Sequence, residues 1–205
     1  MKILIHPTYF PSVSHYAAML QADEIHLEME DNFQKQTNRN RMYIYSPNGV
    51  QLLNIPVKHR KGEHQKYKEI EIAPYTDWQK MHFKSLEAAY RSSPFFEYYE
   101  DEFLPIFEKK HKFLMDLNLQ IHEIISACMQ VKLPFISTDE YHKVVAEDIK
   151  DFRQLANGKK DAHILQPYPQ VFEEKHGFLN NLSVLDLLFN EGPHSKDYLL
   201  KQKIE

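Results

Sequence analysis

Apolar positions change their period several times along this chain, and each change marks an element. Lys2–Ile5 is a short apolar run stopped by His6-Pro7 and again by Pro11, the pattern of a buried strand. Across Ser12–Gln21 the apolar stripe is Val13, Tyr16, Ala17 and Leu20, one face of a helix that Ser12 or Ser14 can cap. Glu24–Met29 alternates Ile25, Leu27 and Met29 with Glu24, His26 and Glu28, a half-buried strand. Strand, loop, helix and strand in that order predict a parallel pair with a right-handed crossover. Met42–Tyr45 and Val50–Val57 flank Ser46-Pro47-Asn48-Gly49, a strong hairpin signal. Ile70–Ile72 reads as another strand before Pro74.

The second half carries a helical period. Thr76 or Asp77 can cap a helix to about Arg91, with Trp78, His82, Leu86 and Tyr90 along one face and Pro94 closing it. Helices follow over Phe96–Phe107, interrupted near Pro105, and over Lys109–Val131. Pro134–Ile136 reads as a late strand, and Ser137 or Thr138 as the cap of a helix over Glu140–Ala146. Lys150–Lys160 is charged and contains Asn157-Gly158, so a linker or mobile loop is expected near 150–160. Tyr168–Phe172 is an expected edge strand, and Ser183–Phe189 a last short helix before Gly192-Pro193. The predicted class is α/β: a mixed sheet with an N-terminal β-loop-α-β unit and a β-hairpin, and a helical C-terminal half, in one domain over 1–205.

Composition narrows the function classes. A chain of 205 residues, 42% of them hydrophobic, can bury roughly 70% of its surface. A formal charge of −4 and a pI near 6.3 argue against a nucleic-acid partner. No apolar run is long enough to predict a membrane span, and MKILIHPTYF reads as a first strand rather than a signal peptide. The single cysteine, Cys128, lies in the apolar run IISACMQV and fits a buried helix position in a reducing cytoplasm. The 12 histidines show no metal-site spacing, and His59 and His64 flank a Lys/Gly/Glu loop that looks exposed. With 5 scattered glycines there is no phosphate loop, and no cofactor is expected.

The candidate chemistry lies in Asp31–Gly49. Lys35, Arg39 and Arg41 sit among Asn32, Gln34, Gln36, Asn38 and Asn40, and cations spaced by amides suit a small anionic ligand. The alternative is a solvated loop whose cations pair with Glu28, Glu30 and Asp31. The loop from His6 to Pro11, with Tyr9 inside it, follows the first strand, where open α/β sheets hold ligands. Backbone amides at the next helix start offer a further anion site. His82, on the face of Trp78, is a candidate general base, or else a satisfied half-buried residue.

His6-Pro7-Thr8-Tyr9-Phe10-Pro11, Lys35 with Asn38-Arg39-Asn40-Arg41, Asn48-Gly49 before Leu53, Pro56 and Val57, and Trp78, His82, Tyr90 and Pro94-Phe95-Phe96 occur in that order. Together they resemble the WbqC-like family, a bacterial group often encoded near surface-polysaccharide or O-antigen genes. The resemblance covers roughly Met1 to Asn118, and the tail is similar to a branch seen in Bacteroidetes. His6 stands where the family usually has glutamine. What the resemblance implies is an enzyme of the transferase class that modifies an activated sugar, such as a sugar nucleotide, or transfers an acyl or aminoacyl group. In that reading His6 or His82 moves a proton, while Tyr9, Lys35, Asn38, Arg39, Asn40, Arg41 and Trp78 hold the substrate. The competing reading is a non-catalytic module for an anion or a partner protein. Catalysis requires His6 or His82 within reach of the space the basic cluster surrounds. The aromatic run Phe95, Phe96, Tyr98, Tyr99 and Phe103 marks either core packing or a homodimer contact. Alanine at Arg39 or Arg41 is expected to weaken binding without unfolding the chain.

Overall fold

The computed structural model describes residues 1–58 and 64–204, so His59 lies outside the described residues. Strand β1 (Lys2–Ile5) is buried at Ile3, Leu4 and Ile5, because parallel strands flank it on both sides. The chain leaves β1 through the His6–Pro11 loop and helix α1 (Val13–Leu20), then returns as β2 (Glu24–Leu27), parallel to β1. A four-stranded parallel sheet results, in the order β5-β2-β1-β6, with β5 at Phe135–Ser137 and β6 at Ile149–Asp151.

The hairpin is β3 (Arg41–Ser46) and β4 (Gly49–Asn54), paired from Arg41↔Asn54 to Ser46↔Gly49. Pro47 and Asn48 make the turn, and Gly49 follows at φ +95°, a value that suits glycine. The chain is therefore α/β with parallel and antiparallel strands, carried by two separate sheets. The free flank of β3 meets α2 (Trp78–Tyr90), where the Tyr45 amide donates to the Tyr90 hydroxyl at 3.0 Å.

Helices α3 (Phe96–Glu108) and α4 (Leu114–Cys128) complete the middle of the chain. Pro105 does not interrupt α3: Asp101, whose carbonyl loses its partner, is exposed and can bond water instead. Short α5 (Glu173–His176) meets the hairpin turn at Pro47, and α6 (Val184–Glu191) and α7 (Ser195–Lys201) pack against α1. Of the aromatic run, Phe96, Tyr99 and Phe103 are core, whereas Tyr98 is exposed.

Several local expectations give way. Ile70–Ile72 is not a strand: Glu71 and Ile72 make single bridges with Phe113 and Val57 after a 3-10 turn at Tyr67–Glu69. Glu140–Ala146 is not helical; its residues are nearly all exposed, and a helix with no face to bury gains no packing. Tyr168–Phe172 is no edge strand, because Pro167 and Pro169 alternate around Tyr168 and remove ladder donors. The stretch expected as a linker carries the end of β6 and a 3-10 turn at Arg153–Ala156, and β6 pairs with β1.

Candidate functional site

Between β1 and β6 the strand order reverses direction: β1 hands the chain to β2 on one side, and β6 arrives on the other. Crevices at the carboxyl ends of strands bordering such a reversal are the usual ligand positions of open parallel sheets. Here the crevice is roofed by the His6–Pro11 loop. Tyr9 and Phe10 are buried, and Phe10 holds φ +41°, a strained value for a bulky residue. Remote segments over-determine this loop. The Tyr9 amide donates to the Asn38 carbonyl at 2.9 Å, the Ser183 hydroxyl to the Phe10 carbonyl at 3.1 Å, and the Val184 amide to the Pro11 carbonyl at 2.7 Å.

The start of α1 departs from the anion-site expectation. Its first amides are taken by the chain itself, Val13 donating to the Leu182 carbonyl and Ser14 to Asn181 Oδ1, both at 2.9 Å. Ser12 is the N-cap, yet its hydroxyl caps nothing and lies 3.1 Å from Ser14 Oγ.

The basic stretch is divided by the fold. Arg39 is only 1% exposed, and its Nη2 donates to Asp31 Oδ2 at 2.9 Å and to His6 Nε2 at 2.7 Å. Nη1 reaches Thr37 Oγ1 at 3.3 Å, and the guanidinium lies 5.5 Å from the Tyr67 ring centre. Burial lowers the His6 pKa; nearby Asp31 opposes that and Arg39 adds to it, so the imidazole is held neutral. With Nε2 accepting from Arg39, the ring proton sits on Nδ1, which has no partner among the described residues. Arg39 and Asp31 thus form a buried ion pair, with neutral His6 hydrogen-bonded to the guanidinium.

Tyr9, Trp78 and His82 form a second buried group. The Tyr9 hydroxyl lies 2.8 Å from His82 Nδ1, and the Trp78 and His82 rings meet edge to face at 5.3 Å. Burial lowers the His82 pKa to about 4 and raises that of Tyr9, so the phenol donates to a neutral imidazole. Trp78 borders a separate pocket with Pro74, Asp77, Lys110 and His111. Among the described residues, His6 and His82 line none of the pockets that Arg41 borders.

Asn38 and Arg41 do converge. They face a pocket of about 340 Å³ between the loop after β1, the hairpin and the segments 158–161 and 180–183. Phe10, Met42 and Leu182 supply apolar wall, and Ser12, Lys159 and Asp161 supply polar groups. Arg41 is half-buried, with Nε 3.4 Å from Asn54 Oδ1, and neither it nor exposed Lys159 pairs with a carboxylate among the described residues. Asp161 is fully engaged. It accepts from Ser14 Oγ, from Asn181 Nδ2 at 2.7 Å and from His163 Nδ1 at 2.7 Å. Burial pushes its carboxyl pKa up, but these hydrogen bonds outweigh burial and hold it below the usual carboxylate range. Because a carboxylate only accepts, His163 carries its proton on Nδ1 toward Asp161, leaving Nε2 as the basic nitrogen.

Lys35 and Asn40 border a second pocket, also about 340 Å³, that Arg41 borders as well. Lys159, Asp161 and His163 were not singled out from the sequence, because a charged stretch around Asn157-Gly158 carries no local sign that it meets the end of β1. The paired amides Asn180-Asn181 were the one visible cue.

The WbqC-like protein family model matches residues 6–160. The chain belongs to the WbqC-like protein family. The match takes in β1's loop, the hairpin and β6, and so most of the first pocket's wall. This WbqC-like chain is also 25% identical to the uncharacterised protein Rv1507c of Mycobacterium tuberculosis, across 96% of both chains. No solved structure matches it.

Proposed function

We propose that this WbqC-like protein is a transferase of bacterial surface-polysaccharide assembly that takes an anionic activated sugar, or an acyl or aminoacyl donor, in the pocket at the β1–β6 reversal. One observation carries this reading: Arg41 and Lys159, both without a carboxylate partner among the described residues, face the same pocket as Asn38 at a sheet position suited to ligands. The tie to surface polysaccharides comes from the family resemblance alone. In the transfer step an acceptor oxygen forms a bond to the transferred carbon. The bond from that carbon to the donor phosphate oxygen breaks, and the electron pair leaves with the phosphate toward Arg41 and Lys159. The acceptor proton passes to solvent water in the pocket.

A second reading is a non-catalytic anion- or partner-binding module. It is favoured by the occupation of His6 and His82, the two histidines expected to do chemistry. A thermal-shift screen over sugar phosphates, nucleotide sugars, amino acids and acyl phosphates separates the two. A ligand at 100 times its Kd raises stability by roughly 2.7 kcal/mol, and Arg41→Ala should abolish the shift. Release of the donor phosphate that depends on an added acceptor marks a transferase. Binding with no turnover against any acceptor supports the module, and no binding at all overturns the pocket assignment.

A further inference from the structure

Arg41, the first residue of β3, borders both pockets, so the two lie side by side. Lys159 faces only the first pocket, Lys35 only the second and Arg41 both, so three cations serve the pair. Lys35 is exposed and, like the other two, has no carboxylate partner among the described residues. Two adjacent anionic groups, rather than one, match that spacing of charge.

The second pocket differs from the first in its remaining walls. Phe33, Ile55, Pro56 and Val57 make an apolar surface suited to a flat ring. Asn40 adds a directional group. Its Nδ2 donates to Asn54 Oδ1 at 3.0 Å and to the Ile55 carbonyl at 2.8 Å. Turning the amide over would set its oxygen against those two acceptors, so the orientation is fixed. Asn40 Oδ1 is thereby an acceptor with no partner, on a side chain more than nine-tenths buried. An unsatisfied buried acceptor is costly, and an N–H or O–H donor relieves it. The first pocket instead offers Asn38 and Ser12, groups that suit ring hydroxyls.

We infer that the two pockets and Arg41 bind one extended ligand, a nucleoside diphosphate sugar. The sugar lies in the first pocket, the diphosphate crosses Arg41 between Lys159 and Lys35, and the nucleoside fills the second pocket, its ring N–H directed to the Asn40 acceptor. The inference rests on the ligand reading of the first pocket and goes beyond it by choosing the nucleotide-linked sugar over acyl phosphate donors, which would leave the second pocket empty.

Calorimetric titration of the full chain tests this with UDP-glucose, GDP-mannose, UDP, GDP, glucose 1-phosphate, mannose 1-phosphate and acetyl phosphate. One nucleotide sugar should bind at least tenfold tighter than its own nucleoside diphosphate or sugar phosphate. Lys159→Ala should weaken that nucleotide sugar and its sugar phosphate, and Lys35→Ala the nucleotide sugar and its nucleoside diphosphate, each by roughly five- to tenfold. Both lysines are exposed, so neither change threatens the fold. If Lys159→Ala weakens the sugar phosphate but Lys35→Ala leaves the nucleotide sugar untouched, the first pocket binds as proposed and the spanning ligand is wrong. Preference for acetyl phosphate likewise overturns the spanning ligand. No binding by any probe overturns both readings.

Discussion

Arg39 and Arg41 look interchangeable in the sequence, and the fold gives them opposite situations. Arg39 is buried against Asp31, His6 and Tyr67, whereas Arg41 is half-exposed beside Asn54. Removing the Arg39 side chain leaves the Asp31 carboxylate, 8% exposed, without its cation. Breaking a buried pair from one side costs about 3–5 kcal/mol. Arg39→Ala should therefore lower the urea midpoint strongly, and Arg41→Ala should change it by less than about 0.5 kcal/mol while abolishing ligand shifts. Equal midpoints for the two variants would contradict the buried cluster. Burial of Arg39 therefore narrows the expectation of a fold-neutral alanine to Arg41, because no local pattern separates a guanidinium facing a pocket from one facing Asp31.

At the scale of elements, α6 is the fastening of the C-terminal segment. Its Asp186, fully buried, accepts from Tyr90 at 2.9 Å, from Tyr168 at 2.6 Å and from Gln170 at 2.8 Å. Three donors from two other segments converge on one carboxylate, which joins α6 to α2 and to the Pro-rich stretch at 167–169. Asp186→Asn replaces one acceptor oxygen with a donor, and should destabilise by roughly 1–3 kcal/mol in chemical denaturation. The end of α6 makes a sterically defined prediction. Gly192 sits at φ +51°, and a Cβ there would lie 2.6 Å from the Phe95 ring. Gly192→Ala should cost about 1–3 kcal/mol by overpacking together with backbone strain. Gly177, at φ +73° with open space around it, is the control and should cost less. Thermal unfolding of the two variants ranks them. Elements with a strong period were legible: β1, α1, β2, the hairpin, α2 and α4 fall where the apolar stripes put them. Strand β6 was not, since Ile149-Lys150-Asp151 is too short and charged to show a period, and it is a strand only because β1 offers an edge.

For the whole molecule, the distribution of buried histidines sets the acid response. Burial lowers His15 to about 3 and His82 to about 4, from an ordinary 6.5, and lowers His6 as well. A native pKa below the unfolded one means the unfolded chain binds protons first as pH falls. Stability is thus fully present above about pH 6.5 and is lost as pH drops toward 4, with His82 alone worth about 3 kcal/mol at full titration. Urea midpoints at pH 7.5 and 4.5 should show this decline, and His82→Gln should shrink the difference. A midpoint that rises on acidification would contradict neutral buried histidines.

Pattern and composition determined the class of fold, the order of its main elements, the resemblance to the WbqC-like family and the polar stretch that borders both pockets. Those features are local, because a stripe of apolar residues selects a helix or a strand wherever it must be buried. Tertiary structure alone decided which polar residues meet. It spent Arg39 and His6 on Asp31 and His82 on Tyr9, and brought Lys159 and Asp161 to Arg41 across more than a hundred residues of chain. Side-chain chemistry is written in the sequence, but whether a cation meets a carboxylate or an open pocket depends on segments that are neighbours only after the sheet has formed.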